Sequence, residues 1–258
     1  MKLNQLLKIS GIDIKQFLLS LRGIPNYFNN YSKIKAAIEN TKTDFPIKNL
    51  NPCLADRFDK AGSLPLHYFY QDIHIAKKIF ENNPIKHVDI GSRIDGFVAH
   101  VASFREIEIF DIRSMNIGVK NIKFVKADLS ELNFALENYC DSISCLHVIE
   151  HFGLGRYGDK IDINGHIKGL NNIYKILKPG GKFYFSTPIG ERRIEFDAHR
   201  VFDVQYLLDL FYGKYCIDSF SYVDDQNVFH ADCQLDTSSI EKNFNCNYGC
   251  GIFELTKL

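Results

Sequence analysis

The sequence has no tryptophan, no net charge, no two cysteines in a C-x-x-C pair and no long apolar run. Three of these absences exclude a class of protein. With 31 basic residues against 31 acidic ones, the chain lacks the cationic surplus of a dedicated nucleic-acid binder, although a local basic patch is compatible with that average. A 45% hydrophobic content at zero net charge also excludes disorder as the dominant state. The seven cysteines, at 53, 140, 145, 216, 233, 246 and 250, are odd in number and scattered. Cys246 and Cys250 have no histidine close by in sequence and so make a poor metal site. Reduced thiols in a cytoplasmic protein are the expectation. Lys8, Asp13 and Lys15 interrupt the apolar N-terminus, so no signal-peptide core forms, and no segment approaches the ~18 apolar residues of a membrane span. The missing tryptophan, beside abundant Lys, Asn and Ile, reads as AT-rich coding rather than physics.

What is present is an apolar pattern whose period changes along the chain. Ile14, Phe17, Leu18 and Leu21 recur at helical spacing, a turn is expected at Gly23-Ile24-Pro25-Asn26, and Ile34, Ala37 and Ile38 resume the helix. Pro46, Pro52 and Pro65 make 41–65 an extended connector, and Ile75, Ile79 and Phe80 predict a helix over 71–81. Beyond Pro84, short apolar runs predict strands over 86–90, 107–111, 122–126, 142–146 and 182–186, then 220–223 and 251–255. Helices are expected over 97–103, 165–177 and 204–211. Strands separated by helices imply right-handed crossovers and a parallel sheet covered on both faces. The last two strands, with no helix expected between them, suit an antiparallel hairpin. The expected fold is therefore α/β: a doubly wound, Rossmann-like, mostly parallel seven-stranded sheet with an antiparallel C-terminal hairpin. Residues 1–70 form a helical N-terminal extension and 71–258 the sheet domain.

Such sheets bind ligands at the carboxyl ends of their strands, near the point where strand order reverses. After the first strand runs Asp89-Ile-Gly-Ser-Arg-Ile-Asp-Gly96, where Gly91 permits a tight turn and Gly96 a close helix start. Arg93 stands where a dinucleotide fingerprint has its second glycine, which argues against a pyrophosphate cofactor. Asp111, 22 positions beyond Asp89, is placed to accept from both hydroxyls of a ribose. Asp128, before Leu129, is placed to accept from an adenine amino group. Each acid alone would serve as a helix cap or a solvated loop residue; three at successive strand ends point to a nucleoside.

On Asp89-Ile-Gly-Ser92, Asp111, Ala127-Asp128-Leu129, Val148-Ile-Glu-His151 and Leu177-Lys-Pro-Gly-Gly181, in that order over 71–258, the sequence resembles class I S-adenosylmethionine-dependent methyltransferases. The resemblance implies S-adenosyl-L-methionine as cofactor and S-adenosyl-L-homocysteine as product. The loop of Asp89, Gly91, Ser92, Arg93 and Gly96 would hold the methionine portion, and Asp111 with Ile112 the ribose. Asp128 and Leu129 would hold the adenine, and the Leu146–His147 backbone the methionine ammonium. The run from His147 through Gly153-Leu-Gly-Arg-Tyr-Gly-Asp159, with Ile161-Asp-Ile-Asn-Gly-His166 and Ala198-His-Arg200, looks like a bacterial methyltransferase-like family of unknown function often met among capsular-polysaccharide genes. That resemblance implies a small phosphorylated, nucleotide-linked or sugar acceptor in surface-polysaccharide assembly, a nucleotide-activated phosphoramidate being its most specific form.

The acceptor side carries cations: Arg156-Tyr157 after the fourth strand, and Arg192, Arg193, His199 and Arg200 after the fifth. Glu191, Glu195 and Asp197 suffice to neutralise Arg192 and Arg193 as a solvated face. Arg156, Tyr157, His199 and Arg200 are the candidate contacts to an anionic acceptor, since arginine forks suit phosphate. A hydroxyl acceptor would also need a general base, for which His147, His151 and His199 are candidates; His67, His74, His87, His100, His166 and His230 read as surface or core residues. His147-x-x-Glu150-His151 has the spacing of an inverted zinc-protease motif, but Gly153 and Gly155 would stop its helix after about one turn, so no metal is assigned. Zinc hydrolysis through His147, Glu150 and His151 stands as one competing reading. A non-catalytic Rossmann-like binding protein, favoured by Arg93, is the other. No N/D-P-P-Y/F run follows the fourth strand, which argues against methylation of nucleobase amines and against nucleic acid as a partner.

Overall fold

Residues 11, 13–41, 47–58, 66–115, 118–129 and 136–258 are described by the computed structural model, whose contacts divide it into the units Met1–Leu64 and Pro65–Leu258. In the first unit, helix α1 spans Ile14–Thr41 and starts where Asp13 Oδ1 accepts from the Gln16 amide at 3.1 Å. The turn expected at 23–26 does not form; the helix runs through Pro25. Proline forgoes one backbone bond there, yet its fixed φ is a helical one. Gly23 has a different cause from the one expected. A Cβ on it would come within 1.8 Å of the Leu54 carbonyl oxygen, so the residue is glycine because another strand of chain crosses it.

The second unit begins with helix α2, Leu66–Asn82, and continues as a sheet with crossover helices. The strands are β1 His87–Ile90, β2 Ile107–Asp111, β3 Ile122–Lys126, β4 Cys140–Leu146, β5 Leu177–Ile189, β8 Tyr215–Val223, β9 Phe229–His230 and β10 Gly249–Lys257. A separate small ribbon pairs β6, Arg193–Glu195, with β7, His199–Val201. Helices α3 (Ala99–Ala102), α4 (Gly165–Ile176), α5 (Val204–Phe211) and α6 (Thr237–Glu241) complete the unit. Strand order is β3-β2-β1-β4-β5-β10-β8-β9, with β1 parallel to β2 and β4, and β10 antiparallel to both β5 and β8. The mostly parallel, doubly wound sheet is as expected. It has eight strands rather than seven because the two-residue β9 adds to the edge. The antiparallel pair β8–β10 is joined through β9 and α6 instead of a tight hairpin turn.

Both faces of β2 and β4 are buried, which is why these strands read as near-continuous apolar runs, while β3 at the edge is half-buried. On β5, Phe183 and Phe185 pack toward α4 and α5, while Tyr184 joins Ile75 and Ile79 of α2 on the other face. The order reverses between β1 and β4, and the carboxyl ends of β1, β2 and β4 open together at that point. No helix among the described residues is long and apolar enough to cross a membrane.

Candidate active site

The loop after β1 is built around Asp89. Its fully buried carboxylate accepts from the Ser92 amide (3.0 Å), Ser92 Oγ (2.9 Å) and Ser144 Oγ (2.6 Å). Burial pushes its pKa up to about 6, against the pull of those three donors. Asp89 therefore braces the loop from behind rather than facing a ligand. Beside it His87, driven down to about 3 by burial, sits between Ser142 Oγ (2.8 Å) and Ser144 Oγ (3.2 Å) and completes a neutral polar ladder. Gly91 has φ +67°, and a Cβ there would meet Val148 Cγ1 at 2.9 Å. A Cβ on Gly96 would meet Asp72 Oδ2 at 2.8 Å.

These glycines open a cavity of about 830 Å³ at the switch point. Gly91, Ser92, Arg93 and Gly96 line it from β1, Asp111 and Ile112 from β2, Asp128 and Leu129 from β3, and Leu146 and His147 from β4. Ten of the sequence-predicted cofactor residues thus meet in one space. The arginine of the loop turns away into solvent, its fork held by Asp95 at 2.6 and 3.0 Å. Asp111 is engaged: Arg113 donates to its carboxylate from the amide (2.8 Å), Nε (3.0 Å) and Nη2 (2.6 Å), and lies over the Tyr157 ring at 4.9 Å.

The three candidate bases separate. His147, at φ +54°, places Nδ1 3.0 Å from Glu150 Oε1 and Nε2 3.2 Å from Cys250 Sγ. Burial alone would lower its pKa, but the Cys250 sulfur and the Glu150 carboxylate outweigh that and hold it well above the ordinary range. It is locked, not poised. His151 lines the cavity, and its Nδ1 lies 2.7 Å from the Ala198 carbonyl oxygen, to which only an N–H can bond. That leaves Nε2 with its lone pair, and burial lowers the pKa so that the ring is neutral. His199 lies behind it, outside the cavity lining, with ring centroids 6.2 Å apart. The inverted zinc-protease spacing does not assemble: Ile149–His151 is a single 3-10 turn, and the two imidazoles turn different nitrogens to Glu150, His147 its Nδ1 and His151 its Nε2.

The Gly153–Asp159 run has a physical reading. Asp159 gathers the amides of Gly153 (2.8 Å), Gly155 (3.3 Å) and Tyr157 (3.3 Å), winding the loop about one carboxylate and setting Tyr157 at the cavity. Arg200 departs from expectation. It is 5% exposed, outside the cavity lining, and donates to the carbonyls of Glu150 (3.3 Å), Phe152 (2.6 Å) and Ile163 (3.1 Å). Those bonds consume its fork in pinning the loop, so it has nothing to offer an anion. Arg192 and Arg193 pair with Asp203 and Glu195, as a solvated face would. Arg156 is exposed, giving one bond to the Ala198 carbonyl and lying 5.2 Å over Tyr157.

Sequence reasoning missed Gln71 and Asp72, which reach the cavity from α2. Gln71 Nε2 donates to Asp72 Oδ1 at 2.9 Å, and burial raises the Asp72 pKa. A signal existed: both lie one helical turn before buried Ile75 and Ala76, on a stripe where polar groups are out of place.

The model of the family described as "Caenorhabditis protein of unknown function, DUF268" matches residues 100–248. No curated protein matches the chain. Among solved structures, the fold is similar to the N-methyltransferase NodS of Bradyrhizobium japonicum WM9 in complex with S-adenosyl-L-homocysteine, at 14% identity and TM-score 0.51, covering 81% of this chain and 93% of that one. It is also similar to 1,6-didemethyltoxoflavin-N1-methyltransferase of Burkholderia thailandensis, at 14% identity and TM-score 0.52, covering 73% and 79%. The [4+2]-cyclase SpnF matches at 12% identity and TM-score 0.50, covering 83% and 84%. The fold is thus that of the methyltransferases, and because a cyclase shares it, chemistry has to be argued from the site.

Proposed function

We propose that this chain, which belongs to the family described as Caenorhabditis protein of unknown function, DUF268, is an S-adenosylmethionine-dependent O-methyltransferase acting on a small anionic acceptor. One observation carries the reading: acids from the ends of β2 and β3 and a glycine cradle after β1 line a single cavity. The residues suit the cofactor. A cavity of this volume falls within the roughly 300–1,000 Å³ of small-molecule sites. A Cβ at Gly91 would collide with Val148 and one at Gly96 with Asp72, both lining residues, so side chains there would disturb the cavity wall. Asp128 and Leu129 would take the adenine, Asp111 the ribose, and Asp72 with the Leu146–His147 backbone the methionine ammonium. Bound there, the cofactor supplies a methyl group on a sulfonium.

The chain's own task is to position an acceptor and receive its proton. His151 lines the cavity, and its Nε2, 3.9 Å from Glu150 Oε1, keeps the lone pair that a base for a hydroxyl needs. His147 is engaged on both nitrogens and holds the turn that carries His151. With Arg192, Arg193 and Arg200 consumed, Tyr157 in the lining and the exposed Arg156 next to it, just outside the lining, are left to meet an anionic group. The likeness of the Gly153–Asp159 run to a family met among capsular-polysaccharide genes supports a phosphorylated, nucleotide-linked or sugar intermediate, including a nucleotide phosphoramidate. The test is a mass-spectrometric screen of nucleotide sugars, sugar phosphates and nucleotide phosphoramidates for a singly methylated product. S-adenosylhomocysteine formation matching the acceptor-free control for every compound contradicts this acceptor class.

A further inference from the structure

At the wall of the cavity lies a side-chain cluster in which only His147 has so far been given a part. His67 from the first turn of α2, His147 after β4 and Cys250 in β10 bring one ligand atom each to within 4.8 Å of one another. We infer that His67, His147 and Cys250 form a binding site for one divalent transition metal ion of the zinc type. The donor set is two imidazole nitrogens and a sulfur, which selects borderline and soft ions over magnesium or calcium. His147 Nε2 and Cys250 Sγ are 3.2 Å apart, so a small parting brings them to the ~3.5 Å that N and S ligands of one tetrahedral zinc ion take. Three protein ligands leave a fourth position for water or another oxygen or sulfur ligand.

The support behind the cluster points the same way. Glu150 Oε1 lies 3.0 Å from His147 Nδ1, the carboxylate–histidine–metal relay that aims the other ring nitrogen at the ion. Thr187 Oγ1 donates to Glu150 Oε2 at 3.4 Å. Glu150 is 1% exposed, and among the described residues the ion pairs of its carboxylate are with His147 and His151 and with no lysine or arginine. A divalent ion would compensate this buried carboxylate and a Cys250 thiolate together, every proton held on His147 Nε2 and Cys250 Sγ leaving to solvent as the metal binds. Sequence distance hid the site: Cys250 lacks a nearby histidine in the chain, and the fold delivers two.

The inference does not rest on the methyltransferase reading, and its test has its own readout. Full-length protein stripped with chelator is titrated with cobalt(II). Binding of one equivalent with a thiolate-to-cobalt charge-transfer band is expected. The band should vanish in Cys250→Ser, and affinity should fall at least tenfold in His67→Gln, a change at the end of a helix that leaves the core intact. Glu150→Gln should keep the band while weakening zinc binding by about 10–100-fold, as outer-shell partners do. Absence of stoichiometric cobalt binding by folded wild-type protein overturns the site, as does an unchanged affinity in His67→Gln. In either case the trio is a hydrogen-bonded histidine–cysteine contact and nothing more.

Discussion

Replacing Arg200 with alanine separates a structural pin from a substrate contact. The guanidinium is 5% exposed and donates to three carbonyls from two segments, Glu150 and Phe152 before the Asp159 loop and Ile163 after it. Hydrogen bonds to a charged group contribute about 1.5–3 kcal/mol each, but they are not additive, and water entering the vacated space re-solvates part of what is lost. Three such bonds, taken as less than additive, come to about 3–5 kcal/mol. At ~2–4 °C per kcal/mol for a domain of this size, Tm should fall by roughly 6–20 °C. Thermal unfolding followed by circular dichroism reads this directly. Arg200→Lys, with one point charge in place of a fork, should recover less than half of the loss. A stability change below about 1 kcal/mol would refute the pinning role. Lost turnover at full stability would return Arg200 to the acceptor site.

Other outcomes follow from the same geometry. The raised pKa of Asp89 means the native state binds more protons than the unfolded one between about pH 4 and 6, so this group's contribution falls by about 3 kcal/mol as pH rises through that window. Urea unfolding of wild type relative to Asp89→Asn should show that decline, and parallel profiles would contradict it. Arg113 competes for the carboxylate assigned to the ribose. Arg113→Ala should therefore raise S-adenosylhomocysteine affinity several-fold and Asp111→Asn lower it at least tenfold, both by calorimetry; the reverse order would remove Asp111 from the site. His151→Asn keeps a donor for the Ala198 carbonyl but loses Nε2, so kcat should drop by about 10²–10⁴ with cofactor affinity unchanged. An undiminished kcat would mean that the acceptor needs no base.

Residues whose environment is local were legible in the sequence. Asp111 ends a short run buried on both sheet faces and Asp128 follows a half-buried edge run, so strand ends, and hence the ligand rim, could be placed by counting. Gly91 was legible because a positive φ leaves its mark on residue type. What escaped depends on contacts distant in the chain. Gly23-Ile-Pro-Asn carries the composition of a turn, yet the glycine answers to Leu54 and the proline sits inside a helix. Arg200 lies in a charged loop that reads as surface, and only the folded chain shows three carbonyls closing on it. Cys250 and His67 meet because β10 inserts beside β5 while α2 packs over it.

The central claim is that the switch-point cavity holds S-adenosylmethionine. Isothermal titration of the full chain with S-adenosylmethionine and with S-adenosylhomocysteine tests it most directly. The account predicts saturable one-to-one binding of both ligands, weakened by Gly96→Val, whose side chain would occupy the cradle beside Asp72. No detectable binding of either ligand, by protein shown to be folded, would contradict it.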